Sequence, residues 1–311
     1  IHWRVSNIGE SAIAKPWNDH LLIRNLTTGS ILLNTDIRYD TVLEGELSKG
    51  AFKDRAYAFV WPNGVESAGQ FEFVVTSDYS SEILENISTD TAETNNTQLL
   101  NRVSGPDLLI KNLSVEQDIV QAGGLLTIHW EDWNTGLAPT SIGFMDHIVA
   151  INKTTGEKIL DTSLFYDPAQ NGNGAISVDE FRLRSFSFRL PEGIRGVGDI
   201  EISITANQNT LGYGSLFEAN SNNNAATNNS ASIHKSSLAK AYADLHVFNV
   251  TAPVETESGK PVLLGWSVAN NGQADTSTSS WNDQVILSRS ATGGESDDVV
   301  LGSFRHEGLL K

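Results

Sequence analysis

The sequence predicts an all-β chain made of tandem sandwich modules. Three observations point there. First, one unit is written three times. Ile1–Ile23 reads IHWRVSNIGESAIAKPWNDHLLI, Ile128–Ala150 reads IHWEDWNTGLAPTSIGFMDHIVA, and Leu264–Leu287 reads LGWSVANNGQADTSTSSWNDQVIL. Trp3, Asn7, Gly9, Asp19 and His20 recur as Trp130, Asn134, Gly136, Asp146 and His147 at one shift (130 − 3 = 127; 147 − 20 = 127). Trp266, Asn270, Gly272 and Asp283 form the third copy, with one residue inserted in its loop. A fixed long period marks an array of similar structural units. Second, apolar residues alternate with polar ones over short runs, the period of half-buried strands. Third, turn signals close those runs at short spacing, as in sandwiches. No stretch carries a helical period.

In chain order, Ile1, Trp3 and Val5 alternate with His2 and Arg4 as a first strand. The polar loop Ser6–Ala14 leads to a second strand, Trp17–Ile23, and Asn25–Gly29 turns the chain. A less regular stretch precedes an expected strand at Tyr57–Trp61, ended by Pro62-Asn63-Gly64. Phe71, Phe73 and Val75 mark the last expected strand of this copy, and Thr89–Thr97 reads as a linker. Near Pro106 a new copy opens with Asp107-Leu108-Leu109-Ile110. Its later half matches the first at a second shift (186 − 57 = 129; 198 − 69 = 129). Ile200, Ile202 and Ile204 give the clearest alternation in the chain, and Asn220–Ser230 reads as an Asn-rich linker. Ala243–Val247 opens the third copy, which reaches Lys311 without counterparts of the Tyr57 and Phe71 strands. The expected modules are therefore 1–103, lacking its first strand; 104–237, complete; and 238–311, lacking its last strands. The chain reads as a slice of a longer protein.

Composition narrows the function. The 311 residues carry a formal charge of −17, a field that repels nucleic acid and anionic lipid. Cysteine is absent, which removes thiolate chemistry, Cys-type zinc sites and disulfides. No apolar run reaches the roughly 18 residues of a membrane span, so no membrane insertion is expected. A hydrophobic content of 39% supports real cores.

The Asp-Leu opening, the Trp strand, Asn-x-Gly, Trp-x-Asp and the closing Pro-x-Gly strand pair resemble the CARDB family, the cell-adhesion-related domain found in bacteria. Asp107-Leu108, Trp130, Asn134, Gly136 and Asp146 carry the match in the middle copy. Asp244-Leu245, Trp266, Asn270, Gly272, Trp281-Asn282-Asp283 and the segment His306–Leu310 carry it in the last. The resemblance implies immunoglobulin-like sandwiches repeated in large secreted or surface proteins, and no catalytic residues. The middle copy departs from the pattern: Phe144-Met145-Asp146 replaces Trp-x-Asp, and Asp132 stands where Val5 and Val268 stand.

Four constellations are candidates for chemistry. Alternation puts Trp17 and Asp19 on one strand face, as it does Trp281 and Asp283. The structural expectation is a core tryptophan beside an aspartate that accepts backbone N–H bonds. His2 and His20 recur as His129 and His147, but Gly265 and Gln284 stand there in the third copy, and no recurrent third ligand completes a metal site. Asn171–Phe181 reads NGNGAISVDEF, like the later part of a calcium loop, with Asn171, Asn173, Ser177 and Glu180 as candidate ligands. Ala169 stands where the anchoring Asp belongs, no flanking helices are expected, and Asn-Gly repeats suit a tight turn by themselves. A turn is the expectation, with calcium the alternative. Finally, sequons at Asn25, Asn86, Asn112 and Asn152 are ascribed to an Asn- and Thr-rich composition. No hydrolase, phosphate-loop or dinucleotide motif is present.

The sequence thus predicts non-catalytic structural or adhesive modules, extracellular or on a cell surface. Their expected partners are neighbouring modules and a surface glycan or protein, with no cofactor. The alternative is an accessory carbohydrate- or protein-binding module of a secreted enzyme.

Overall fold

The computed structural model describes residues 1–85, 92–222, 225, 227–290 and 296–311. Within them the regular secondary structure is almost wholly strand; the exceptions are one four-residue helix, α1 (Thr41–Glu44), and three short 3-10 turns. It divides into two compact units, Ile1–Leu238 and Ala239–Lys311.

The first unit begins with β1 (His2–Ser6), β2 (Trp17–Asn25), β3 (Ile31–Tyr39), β4 (Phe52–Ala56), β5 (Gly69–Thr76) and β6 (Thr97–Ser104). β1 pairs with β4, and the other four form a sheet in the order β3-β2-β5-β6. It continues with β7 (Leu108–Val115), β8 (Val120–Gln121), β9 (Leu125–Asn134), β10 (Phe144–Asn152), β11 (Glu157–Tyr166), β12 (Glu180–Arg189), β13 (Gly198–Thr205) and β14 (Ser230–Leu238). These make a five-stranded sheet, β11-β10-β13-β14-β8, and a three-stranded sheet, β12-β9-β7. All ladders are antiparallel except the short β14–β8 pair. The second unit holds β15 (Leu245–Thr251) paired with β16 (Gly265–Asn270), and β17 (Ser280–Leu287) paired with β18 (Val299–Glu307).

Alternation decides what lies inside. Every second residue of β9 from Leu126 is buried, so Ile128, Trp130, Asp132 and Asn134 share one face. β10 buries Phe144, Asp146, Ile148 and Ala150 in the same way, and β13 buries Ile200, Ile202 and Ile204. These faces meet in one continuous apolar core with Leu108, Tyr166 and Phe188. A smaller core gathers Trp17, Tyr39 and Leu47.

Four sequence expectations need correction. The stretch before Tyr57 is not irregular: it contains β3 and β4, whose alternation is masked by Asn34, Thr35 and Asp36. Tyr57–Trp61 is not a strand. Tyr57 closes the β1–β4 ladder by bonding Ile1, and the chain then leaves the sheet so that Trp61 packs edge-on against Phe71. Thr97 does not end a linker but opens β6, a further strand that pairs along all of β5; Thr89–Thr91 lie outside the described residues. Of Asn220–Ser230, residues 223, 224 and 226 lie outside the described residues; the others do not behave as a linker. Asn220 and Asn228 bond the Asp107 carboxylate, Asn229 bonds Glu218, and Ser230 begins β14. Polar composition here serves buried bonding rather than slack chain.

Candidate functional site

The recurring residues converge between the sheets. Trp3 on β1 and Trp17 on β2 each donate an indole N–H to a different oxygen of Asp19, both at 2.9 Å. Arg55 on β4 adds a guanidinium bond at 2.6 Å, and the Ser77 hydroxyl another at 2.8 Å. Asp19 is fully buried, and Arg55 nearly so. Tyr39 stacks on Trp17 at 4.1 Å and lies under Arg55. Its hydroxyl donates to the Gly45 carbonyl at 2.7 Å. The aspartate was expected to hold a turn through backbone N–H groups. It instead accepts four side-chain donors, because its strand face points into the sandwich. A buried carboxylate requires such saturation.

The middle copy rebuilds the cluster with altered parts. Arg184 stands for Arg55 and Tyr166 for Tyr39, with the Tyr166 hydroxyl on the Gly174 carbonyl at 2.7 Å. Phe144 replaces Trp17 and brings no donor. Asp132 replaces Val5 and takes the Trp130 indole at 3.0 Å and the Arg184 guanidinium at 3.0 Å. Asp146 lies 3.2 Å from the same Arg184 nitrogen, and its two oxygens accept no hydrogen bond. Two fully buried carboxylates therefore face one guanidinium. Burial pushes both above the usual carboxylate range, Asp132 against the pull of Arg184 and Asp146 with the further push of the Asp132 charge.

In the second unit Trp266 and Trp281 donate to the two oxygens of Asp283, at 2.9 and 3.1 Å. His306 stacks on Trp281 at 3.9 Å, in the register position of Tyr39 against Trp17. Among the described residues no cationic side chain reaches Asp283.

A second device repeats beside the first. The Asn134 side chain donates to the Ala138 and Ile176 carbonyls, both at 2.9 Å, and its oxygen accepts from Gly136 and Asp107. Asn7 and Asn270 make the matching bonds. A third device is formed by Asn25 and Asn152, two of the four sequon residues. Each is fully buried, donates to the carbonyls ahead of β5 or β13, and accepts from the two threonine-rich turn residues that follow. A glycan has no access there. Asn112 sits at a bulge with φ 53°, a conformation asparagine tolerates, and donates to Glu131. Asn86 lies outside the described residues.

The histidines do not meet. His20 pairs with Asp36 at 2.6 Å on the outer face of β2–β3, and His147 with Asp161 at 2.7 Å on β10–β11. His129 faces Glu116. Among the described residues no group of three His, Asp or Glu side chains could hold a metal. In the calcium-like loop no side-chain bond joins any two of Asn171, Asn173, Ser177 and Glu180. Asn173 donates to the Asp167 carbonyl, and Glu180 faces Arg182. The Arg182 guanidinium takes the Asn173 and Ala175 carbonyls at 2.8 and 2.9 Å. A fixed positive charge thus occupies the carbonyl side of that loop.

Sequence reasoning missed both arginines and both tyrosines. The signal was available: Arg55 to Arg184 extends the later shift (184 − 55 = 129), and Tyr39 to Tyr166 extends the earlier one (166 − 39 = 127). It also missed Trp133, whose ring points outward on β9, stacked with Phe181 at 4.7 Å and capped by Lys111 at 4.3 Å.

No family model and no curated protein matches the chain. Solved structures do. A CARDB domain from Pyrococcus furiosus, solved in complex with di-metal ions, is 16% identical over 43% of this chain and 90% of its own, with a TM-score of 0.26. Red sea bream transglutaminase is 11% identical over 77% of this chain and 29% of its own, at a TM-score of 0.33. A β-galactosidase-like protein from Bacteroides fragilis is 9% identical over 85% of this chain and 34% of its own, at a TM-score of 0.28.

Proposed function

We propose that the chain is a non-catalytic array of three sandwich modules, 1–103, 104–237 and 238–311, serving as structural or adhesive repeats of a secreted or cell-surface protein. One observation carries this reading. Most of the residues that recur are used internally: indole N–H groups and, in the first two copies, an arginine meet aspartates between the sheets, and the asparagines bond backbone. Apart from the outward histidines His20 and His147, each paired with an aspartate, what repeats builds the module, and the other outward positions vary from copy to copy. Recognition, where a copy has it, belongs to those varying faces. The test is a panel of ester, peptide and glycoside substrates with the intact chain. Turnover that disappears on substitution of one residue overturns the non-catalytic reading.

A second reading, an accessory sugar-binding module, draws on the outward Trp133–Phe181 pair beside Glu180 and Arg182. Sugars stack on open aromatic faces. Phe181 stacks on the Trp133 ring at 4.7 Å, and the Lys111 ammonium stands 4.3 Å from its centre. That coverage favours the structural reading. Glycan-array binding abolished by Trp133→Ala reverses the preference.

A further inference from the structure

The middle copy gathers two more carboxylates away from its tryptophan cluster. The segment around Glu218 runs along the one that opens this copy. The Ala219 N–H donates to the Pro106 carbonyl at 2.9 Å, and the Leu108 N–H to the Glu218 carboxylate at 2.7 Å. Asp107 is buried and Glu218 half-buried. Asn220 and Asn228 donate to Asp107 at 2.7 and 3.0 Å, with the Thr135 hydroxyl at 3.0 Å. Asn207 and Asn229 donate to Glu218 at 2.6 and 2.7 Å. The partners are amides, a hydroxyl and a backbone N–H, and among the described residues no cationic side chain pairs with either acid. Dipoles alone stand against two like charges.

The same amides leave oxygens unused. Asn134, Asn152 and Asn207 in this copy each accept two backbone N–H bonds through the side-chain oxygen. The side-chain oxygens of Asn228 and Asn229 are buried and accept none, and Asn229 is only 6% exposed. Each oxygen shares its amide with a nitrogen that touches a carboxylate, so it lies within roughly 5 Å of that carboxylate. A buried carbonyl oxygen without an electropositive partner is costly. A half turn of each amide exchanges nitrogen for oxygen and sets oxygen against carboxylate. That arrangement requires a cation between them. The first copy carries the same frame in open form. Glu85 and Asn96 stand at one shift from Glu218 and Asn229 (218 − 85 = 133; 229 − 96 = 133), and Asn96 donates to Glu85 at 3.5 Å. There Asn95 is exposed and Asn96 half-buried, so water reaches what the middle copy encloses.

We propose that Asp107, Glu218, Asn228 and Asn229 bind one calcium ion. Four oxygen donors, two of them charged, with no nitrogen or sulfur among them, suit a hard cation. Calcium accepts irregular sets of carboxylates and amide carbonyls, whereas magnesium demands a near-ideal octahedron and gives up water reluctantly. The bound ion ties the opening of the middle copy to the segment before β14. It is separate from the Asn171 loop, where Arg182 holds the carbonyls.

Calorimetric titration of the intact, chelator-treated 311-residue chain with calcium chloride tests this, with backbone hydrogen exchange as a second readout. The expected result is one saturable site of millimolar or tighter affinity, with slowed exchange at Leu108 and Ala219, whose N–H groups bridge the two segments. Glu218→Gln should weaken binding at least about tenfold, the worth of one charged ligand, and Glu180→Gln in the other loop should leave it unchanged. Magnesium chloride should bind at least about tenfold more weakly than calcium. Absence of saturable heat up to about 10 mM calcium overturns the proposal. So do equal affinity for magnesium, binding that Glu218→Gln leaves intact, and binding that Glu180→Gln removes. Where Glu218→Gln fails to fold, exchange in the parent decides: calcium-induced protection at Leu108 and Ala219 supports the site, and saturable binding without it overturns the site.

Discussion

Asp132 shows how one side chain can redefine a buried cluster. Val5 and Val268 occupy its position in the other copies, where one carboxylate suffices. With Asp132 present, the folded middle copy holds protons that the unfolded chain releases. Both carboxyls have folded values above their unfolded value, Asp132 at about 6, so their contribution is full in acid and fades as pH rises through the folded values. Glu218, pushed by burial to about 7, acts with the same sign. Relative to the parent, Asp132→Val should therefore gain about 1–4 kcal/mol of stability between pH 4 and pH 8. Urea titrations of parent and variant at both pH values check this; a pH-independent difference sinks it. The glycines of the Asn-x-Gly turns also separate by copy. A Cβ on Gly136 would stand 2.4 Å from the Gly105–Asp107 backbone, whereas one on Gly9 would meet only the Asn7 side chain at 3.3 Å. Gly136→Ala should cost about 1–3 kcal/mol, and Gly9→Ala less than about 0.5 kcal/mol.

At the scale of elements, the asparagines do what a loop cannot do for itself. Loops that pass between sheets bury carbonyls, and each buried carbonyl needs a donor. Asn152 provides two such bonds across the turn between β12 and β13 and accepts two more from the turn after β10. Asn152→Ala should destabilise the chain by about 2–4 kcal/mol, because buried carbonyls lose their partner rather than gain water. Asn152→Asp should be no milder, since it replaces the donor with an acceptor in the same buried place. Thermal unfolding of the three proteins measures both. Asn25, in the same geometry, should behave alike; a neutral Asn25→Ala would show that the clamp is dispensable.

At the scale of the whole molecule, the units differ in how completely their faces are covered. The core of the first unit buries Trp130, Phe144 and three isoleucines of β13 without exposure to solvent. In the second unit every residue of β15 is exposed and Trp266 is only half-buried. Hydrophobic stabilisation follows buried apolar area. Hydrogen exchange should therefore be slow in β9, β10 and β13 and fast in β15–β18, with heating giving two transitions, the second unit melting first. Equal protection in both units would contradict this. Among the described residues no helix is long and apolar enough to cross a membrane.

The all-β architecture and the positions of Trp3, Trp130 and Trp266 were legible because strand alternation and a fixed repeat shift are local properties of the chain. Alternation also placed Asp19 on the face of Trp17 and Asp283 on the face of Trp281. What those carboxylates bond was not fully legible, because two of the four donors on Asp19 lie 36 and 58 residues away, Arg55 on β4 and Ser77 just after β5. The same holds for Asn220 and Asn228, whose surroundings read as linker until Asp107 is brought beneath them across more than 100 residues of chain. Sequence alone determined the period, the strand faces and the absence of cysteine chemistry. Tertiary structure alone decided which buried charge meets which donor, since that depends on the approach of two sheets and not on any local pattern.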